Sequence, residues 1–243
     1  MSKTIKRALV TGGSGGIGAA ICRRLAADGH YVYVHARKGA EIAEKLVGEI
    51  TAAGGSAEAL HFDVTDADGT RKTVEAALGA GPIQILVNNA GVHDDAVLPG
   101  MRPEQWHRVI DIALSGFFNV TQTVLMPMIR TRWGRIINIS SVSALIGNKG
   151  QVNYAAAKGA LNSATKALAL EVATRGITVN SVAPGIIRTP MSEGLFDADA
   201  ISRLVPMNRA GLPEEVANVV AFLASEEASY LTSQIISVSG GMA

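Results

Sequence analysis

Tyr154 and Lys158 stand four residues apart in Asn153-Tyr154-Ala155-Ala156-Ala157-Lys158, a run of strong helix propensity that projects both side chains from one face. The spacing has chemical meaning. A free tyrosine, with a pKa of about 10, is a poor base at neutral pH, and an ammonium beside it stabilises the phenolate and lowers that pKa. Such a pair can exchange a proton with a substrate oxygen. Ser141, thirteen residues earlier, follows the strand-like run Arg135–Ile139 and can hydrogen-bond the same oxygen. It would orient a carbonyl. As a nucleophile it would need a base, but no Gly-x-Ser-x-Gly elbow surrounds it and none of the five histidines lies in a recognisable triad context. The pattern points to carbonyl chemistry by proton transfer and argues against a serine hydrolase.

A second constellation supplies a place for an anionic cofactor. After the first strand-like run comes Thr11-Gly12-Gly13-Ser14-Gly15-Gly16-Ile17-Gly18, then a helical stretch. Glycines remove the Cβ atoms that would block a pyrophosphate, and the free amides at a helix start attract it. Gly13, Gly15 and Gly18 also carry the Gly-x-Gly-x-x-Gly spacing of dinucleotide sites. NAD sites usually carry an acidic residue about 20 residues further on to bind the ribose hydroxyls. Here that place reads His35-Ala36-Arg37-Lys38, two cations and no carboxylate, which suits the 2′-phosphate of NADP(H).

The elements that must position these residues alternate along the whole chain. Arg7–Thr11, Tyr31–His35, Ala57–Phe62, Ile83–Val87, Arg135–Ile139, Ile177–Ser181 and Gln234–Val238 have strand character. Gly15–Asp28, Glu41–Ala53, Ala67–Leu78, Pro103–Thr131, Asn153–Thr174 and Pro213–Ser225 have helical character. This alternation predicts an α/β fold: one domain over residues 1–243, a doubly wound parallel sheet of about seven strands flanked by helices, of the Rossmann kind. No linker or low-complexity tract divides it. The stretch Ala183 to Leu212, rich in Pro and Gly, follows a strand at the ligand-binding edge, and 186–211 is expected to form a substrate lid.

Composition narrows the partners. Lys and Arg number 22 against 21 Asp and Glu, a net charge of +1, so no global field draws nucleic acid or an anionic membrane. The single cysteine, Cys22, allows no intrachain disulfide, and no Cys/His cluster has zinc-like spacing. A cytoplasmic setting fits, and the apolar run Ala8-Leu9-Val10 is too short for a signal peptide or membrane span.

Taken in order, these motifs resemble the short-chain dehydrogenase/reductases, nearly end to end. Thr11-Gly12-x-x-x-Gly16-x-Gly18, with Ser14 and Ile17 inside it, looks like that family's cofactor turn, and Asp63-Val64 looks like its adenine contact. Asn88-Asn89-Ala90-Gly91 resembles the motif beside the cofactor, and Pro184-Gly185 with Thr189 resembles the segment at the nicotinamide end. The resemblance implies that Ser141, Tyr154 and Lys158 are catalytic, with Tyr154 protonating the oxygen and Lys158 also binding the nicotinamide ribose. Within the family, Gly147–Lys158 and the ending Val238-Ser239-Gly240-Gly241-Met242 look most like 3-oxoacyl-(acyl-carrier-protein) reductases. That implies a 3-oxoacyl thioester on an acyl carrier protein as substrate, NADPH as reductant, a homotetramer, and Arg132 and Arg175 as carrier-docking residues.

Two positions depart from the pattern. Ala113 in Ile112-Ala113-Leu114-Ser115-Gly116 stands where the family has a catalytic asparagine, and Gly15 stands where these reductases often carry an arginine near the 2′-phosphate. The lid sets the substrate, which leaves a sugar, steroid or small alcohol as an alternative. Ala113 leaves open a weakly catalytic cofactor-binding scaffold or partner subunit.

Overall fold

The computed structural model describes residues 5–190, 194 and 197–243. Seven strands form one parallel sheet: β1 Arg7–Val10, β2 Tyr31–Ala36, β3 Ser56–His61, β4 Ile83–Asn88, β5 Gly134–Ile139, β6 Ile177–Pro184 and β7 Ile235–Val238. Their spatial order is β3-β2-β1-β4-β5-β6-β7, with the reversal of winding between β1 and β4. Helices α1 Gly16–Ala27, α2 Ala40–Ala52 and α9 Pro213–Ala224 cover one face. Helices α3 Ala67–Leu78, α5 Gly116–Thr131 and α7 Val152–Val172 cover the other.

Side-chain alternation along each strand builds both layers at once. Ala8, Val10, Val32, Val34, Ile85, Val87, Ile137 and Ile139 point into the layer under α1, α2 and α9. Leu9, Tyr33, Leu86 and Ile136 point into the layer under α3, α5 and α7. A strand buried on both faces must be apolar at successive positions, which is why these runs lack polar alternation.

The expected elements are present, with three differences. The helical stretch Pro103–Thr131 is divided into α4 Pro103–Ile110, a π turn Asp111–Ser115 and α5. By length and composition that stretch could cross a membrane, but Val120, Val124 and Met128 are fully buried against the sheet. Two short helices, α6 Ser143–Ile146 and α8 Ala198–Leu204, lie where no helix was expected, and the Asp197 carboxylate caps α8 by accepting the Ala200 amide at 2.7 Å. β6 extends to Pro184 because its last four residues pair with β7.

Part of the predicted lid, 191–193 and 195–196, lies outside the described residues. Its ends are tied together, with Ile187 bridging Gly211 and the Arg188 amide donating to the Gly211 carbonyl at 2.9 Å.

Candidate active site

The segments singled out for chemistry leave the sheet at its carboxyl edge, beside the switch in strand order, which is where ligands bind in open α/β sheets. The glycine turn follows β1, Asp63 follows β3, Asn89–Gly91 follow β4, Ser141 follows β5 and Gly185 follows β6. Helix α7 brings Tyr154 and Lys158 to the same place. Its first turn is pinned by Asn153, fully buried, whose Nδ2 donates to the carbonyls of Asp94 and Gln105 and whose Oδ1 accepts the Tyr154 amide. Gln105, also buried, in turn donates to the Asp94 carboxylate at 2.7 Å.

The Ser141 hydroxyl lies beside that of Tyr154 and acts on its ionisation. Ser141 Oγ also accepts the Ser143 amide at 3.1 Å, which fixes its rotamer. The Lys158 ammonium lies 5.7 Å from the centre of the Tyr154 ring and donates to the Ile139 carbonyl at 2.7 Å. A Cβ on Gly91 would lie 3.2 Å from Lys158 Nζ, so the loop after β4 closes tightly over the lysine. Ser141, Tyr154 and Lys158 therefore converge.

Their electrostatics differ from the simplest expectation. Burial with no carboxylate partner among the described residues lowers the Lys158 pKa to about 8. Burial also pushes the Tyr154 phenol above its usual range, the Ser141 hydrogen bond pulls the other way, and the Asp95 carboxylate adds to the rise. The expected lowering of Tyr154 by Lys158 is not what this structure displays, because desolvation of the phenolate outweighs the attraction of an ammonium that is itself easily discharged. A raised pKa keeps Tyr154 in its acid form at neutral pH.

Ala113 lies in the π turn, buried in a small apolar cluster with Val109, Ala157 and Tyr154. Its methyl offers Lys158 neither donor nor acceptor. The π turn itself had no signal in the sequence. Directly after it Gly116 packs so tightly on the segment after β3 that a Cβ there would meet Val64 Cγ2 at 2.9 Å, and Asn119 donates to the Val64 carbonyl at 2.8 Å.

The glycine turn has the shape of a phosphate cradle. Gly12 adopts φ +62°, and a Cβ on Gly18 would lie 2.2 Å from the Gly12 carbonyl oxygen and 2.8 Å from Asn89 Nδ2. Asn89 donates through Nδ2 to the carbonyls of Thr11 and Gly12, while the Thr11 hydroxyl accepts the amides of Asn89 and Ala90. The turn is thus fastened to β4. The amides of Gly16, Ile17 and Gly18 open α1 with no intrahelical acceptor, and Ser14 precedes them, so a pyrophosphate fits these residues. Thr189 reaches over the turn, since a Cβ on Gly16 would meet its Cγ2 at 2.8 Å. Gly185 packs equally tightly on Ser239, where a Cβ would lie 2.8 Å from the Ser239 Cα.

At the adenosine end Arg37 and Lys38 are exposed, and the Arg37 guanidinium pairs with the Asp63 carboxylate at 3.3 Å. Burial opposes ionisation of Asp63, but hydrogen bonds from the Thr65 amide and hydroxyl and from Arg37 hold its pKa below the usual carboxylate value. This pairing of the two predicted contacts had no local signal. Gly15 has φ −84° and room, a Cβ there meeting only the Gly12 carbonyl at 3.5 Å.

Behind the site runs a buried polar chain. Asn88 donates to Thr121 and to Asn138, Asn138 donates to Thr165, and the Ser181 hydroxyl lies within hydrogen-bond distance of the Asn138 carbonyl and, closer at 2.8 Å, of the Asn162 side-chain amide.

Arg132 and Arg175 are neighbours, with Arg132 donating to the Thr174 carbonyl at 3.1 Å, and both are exposed. They precede β5 and β6 at the amino edge. Ser141 lies one strand length away, about 20 Å, so the two arginines are not part of the catalytic cluster.

A family model described as short chain dehydrogenase matches residues 6–200. The chain is 46% identical to a 3-oxoacyl-(acyl-carrier-protein) reductase of Aggregatibacter actinomycetemcomitans over the full length of both chains. It is 45% identical to a Synechocystis reductase of the same name and 44% identical to one from Thermotoga maritima, over 98% of this chain and 97% of each relative.

Proposed function

The chain belongs to the short-chain dehydrogenase family, and from that premise we propose that it is an NADPH-dependent reductase of 3-oxoacyl thioesters carried on an acyl carrier protein. The observation that carries the proposal is the meeting of Ser141, Tyr154 and Lys158 with a glycine cradle at one edge of the sheet. When bound, NADPH supplies a hydride to the 3-oxo carbon. Tyr154, held in its acid form, gives its proton to the carbonyl oxygen, and Ser141 orients that oxygen and steadies the phenolate that remains. Lys158 supplies positive charge beside the phenolate and would hold the nicotinamide ribose. The cradle at Gly12, Ser14, Gly16, Ile17 and Gly18 would hold the pyrophosphate, with Asp63 and Val64 at adenine and Asn89, Ala90 and Gly91 along the dinucleotide. Arg37 and Lys38 favour the 2′-phosphate, and Pro184, Gly185 and Thr189 would flank the nicotinamide end. The reductases named above act on acyl groups of the carrier protein, and identity near 45% over whole chains supports the same substrate here.

Four further parts belong to the proposal. The segment 186–211 closes over the acyl group as a lid, tied at the Ile187–Gly211 bridge. The enzyme works in the cytoplasm in fatty-acid or polyketide/polyene-type synthesis, and as a homotetramer, for which Phe118, Met126 and Leu170 offer exposed apolar surface on α5 and α7. Arg132 and Arg175 dock the acidic carrier from the amino edge. Purified protein should oxidise NADPH with acetoacetyl thioesters; no turnover across short, long and polyenoic 3-oxoacyl chains would overturn the substrate assignment.

Two predictions follow from particular groups. Arg132→Glu with Arg175→Glu is expected to raise KM for carrier-bound substrate at least tenfold, at little cost to kcat or to turnover of a small free thioester. Equal KM values for carrier-bound substrate in variant and wild type would remove the docking role. Because Lys158 loses its proton near pH 8, kcat/KM for reduction should stay level through neutral pH and fall as pH rises beyond about 8. Initial rates across that range check the sign.

A further inference from the structure

The two leading amides of the glycine turn both end on His35, a residue of β2 that is 2% exposed. The Gly13 amide donates to the His35 carbonyl at 2.8 Å, and the Gly12 amide donates to His35 Nδ1 at 2.9 Å. On its other side the ring's Nε2 lies 3.0 Å from the Phe62 carbonyl, and the ring packs on the Phe62 side chain with centroids 4.0 Å apart. Phe62 directly precedes Asp63 and Val64.

The partners dictate the protonation state. An amide only donates, so Nδ1 must be bare, and a carbonyl only accepts, so Nε2 must carry the proton. The ring is therefore neutral, in agreement with a pKa lowered to about 4, chiefly by burial, with the Phe62 hydrogen bond and Asp63 opposing and His61 adding to the fall. A second proton would place an N–H against the Gly12 N–H.

We infer that His35 is a positioning residue for the dinucleotide site: its neutral imidazole braces the glycine turn after β1 against the segment after β3, holding Gly12 in the conformation that leaves the cradle open. This inference rests on the dinucleotide reading above and adds to it a residue that touches no cofactor itself. The chemistry is specific to an acceptor at Nδ1. Leucine at position 35 would leave the Gly12 amide without its partner, whereas asparagine places Oδ1 where Nδ1 stands and keeps the acceptor.

The experiment measures NADPH affinity by fluorescence titration in wild type, His35→Leu and His35→Asn, together with KM and kcat. His35→Leu removes both ring hydrogen bonds and is expected to raise Kd and KM for NADPH about tenfold, the scale of the acceptor lost by the Gly12 amide, with kcat and thioester KM within about twofold of wild type. His35→Asn should restore most of the affinity. Wild-type affinity in His35→Leu, or equal weakening in both variants, overturns the inference. Failure of the wild type itself to bind any nicotinamide dinucleotide overturns the reading beneath it instead. If His35→Leu does not fold, nitrogen NMR of the native protein decides: a proton on Nε2 alone at neutral pH sustains the brace, and a proton on Nδ1 refutes it.

Discussion

Tyr154→Phe is expected to lower kcat for 3-oxoacyl thioester reduction by about a thousandfold, the scale of a lost general acid, while leaving NADPH affinity and the thermal midpoint close to wild type. The ring stays. It keeps its place in the cluster with Val109, Ala113 and Ala157, and the helix start is held by Asn153 through backbone groups that the substitution does not touch. What disappears is one O–H, the group that lies beside Ser141 and meets the substrate oxygen in the proposed reaction. Burial has already biased this phenol toward its acid form, so no other group among those described is as well placed to protonate the product alkoxide. A thousandfold corresponds to about 4 kcal/mol of transition-state stabilisation. Stopped-flow hydride transfer and steady-state rates give the number; a loss below tenfold would assign the proton to another donor.

Gly18→Ala should abolish useful cofactor binding, with NADPH affinity down about a hundredfold or more and stability reduced by about 1–3 kcal/mol, the range of overpacking at a tight contact. The added methyl would sit 2.2 Å from the Gly12 carbonyl oxygen and 2.8 Å from Asn89 Nδ2. Those two atoms are bonded to each other at 3.0 Å, so the methyl wedges open the clasp between the turn and β4. Neither neighbour can yield as a flexible chain end would, since one is backbone and the other is held by Thr11 as well. Gly15→Ala is the control, with an extended backbone and a methyl no closer than 3.5 Å to the Gly12 carbonyl, and should bind NADPH as wild type does. Fluorescence titration and thermal melts on both variants separate cradle from chain flexibility.

The strands and the pairing of Tyr154 with Lys158 on one helix face were legible because both follow short-range rules. A strand buried on two faces must be apolar throughout, and a helix places residues four apart on one side, so Val32–Val34 and Tyr154–Lys158 declare themselves. Features made by partners far apart in sequence were not. In the sequence His35 stands out only as the neighbour of the cations that follow it, and its bonds to Gly12 and Phe62 span 23 and 27 residues. Arg37 meets Asp63 across a similar gap, and the Tyr154 pKa depends on burial that no spacing encodes. The π turn is the sharpest case: Asp111–Ser115 has ordinary helical composition, and nothing in its own residues announces the extra one.

The asparagine chain behind the site bears on how the sheet finds its alignment. Most of Ile83–Asn88 and Gly134–Ile139 is apolar and buried on both faces, so over Ile85–Val87 and Ile136–Ile137 a slide by two residues would still set apolar side chains against an apolar core. Asn88 and Asn138, which are register partners, remove that freedom. Any slip strands buried amide groups and separates Thr121 and Thr165 from their donors, a cost of about 1–3 kcal/mol for each orphaned group. The pair works as a vernier mark between two mostly apolar rulers, and what it keeps level at their tips are Gly91 and Ser141.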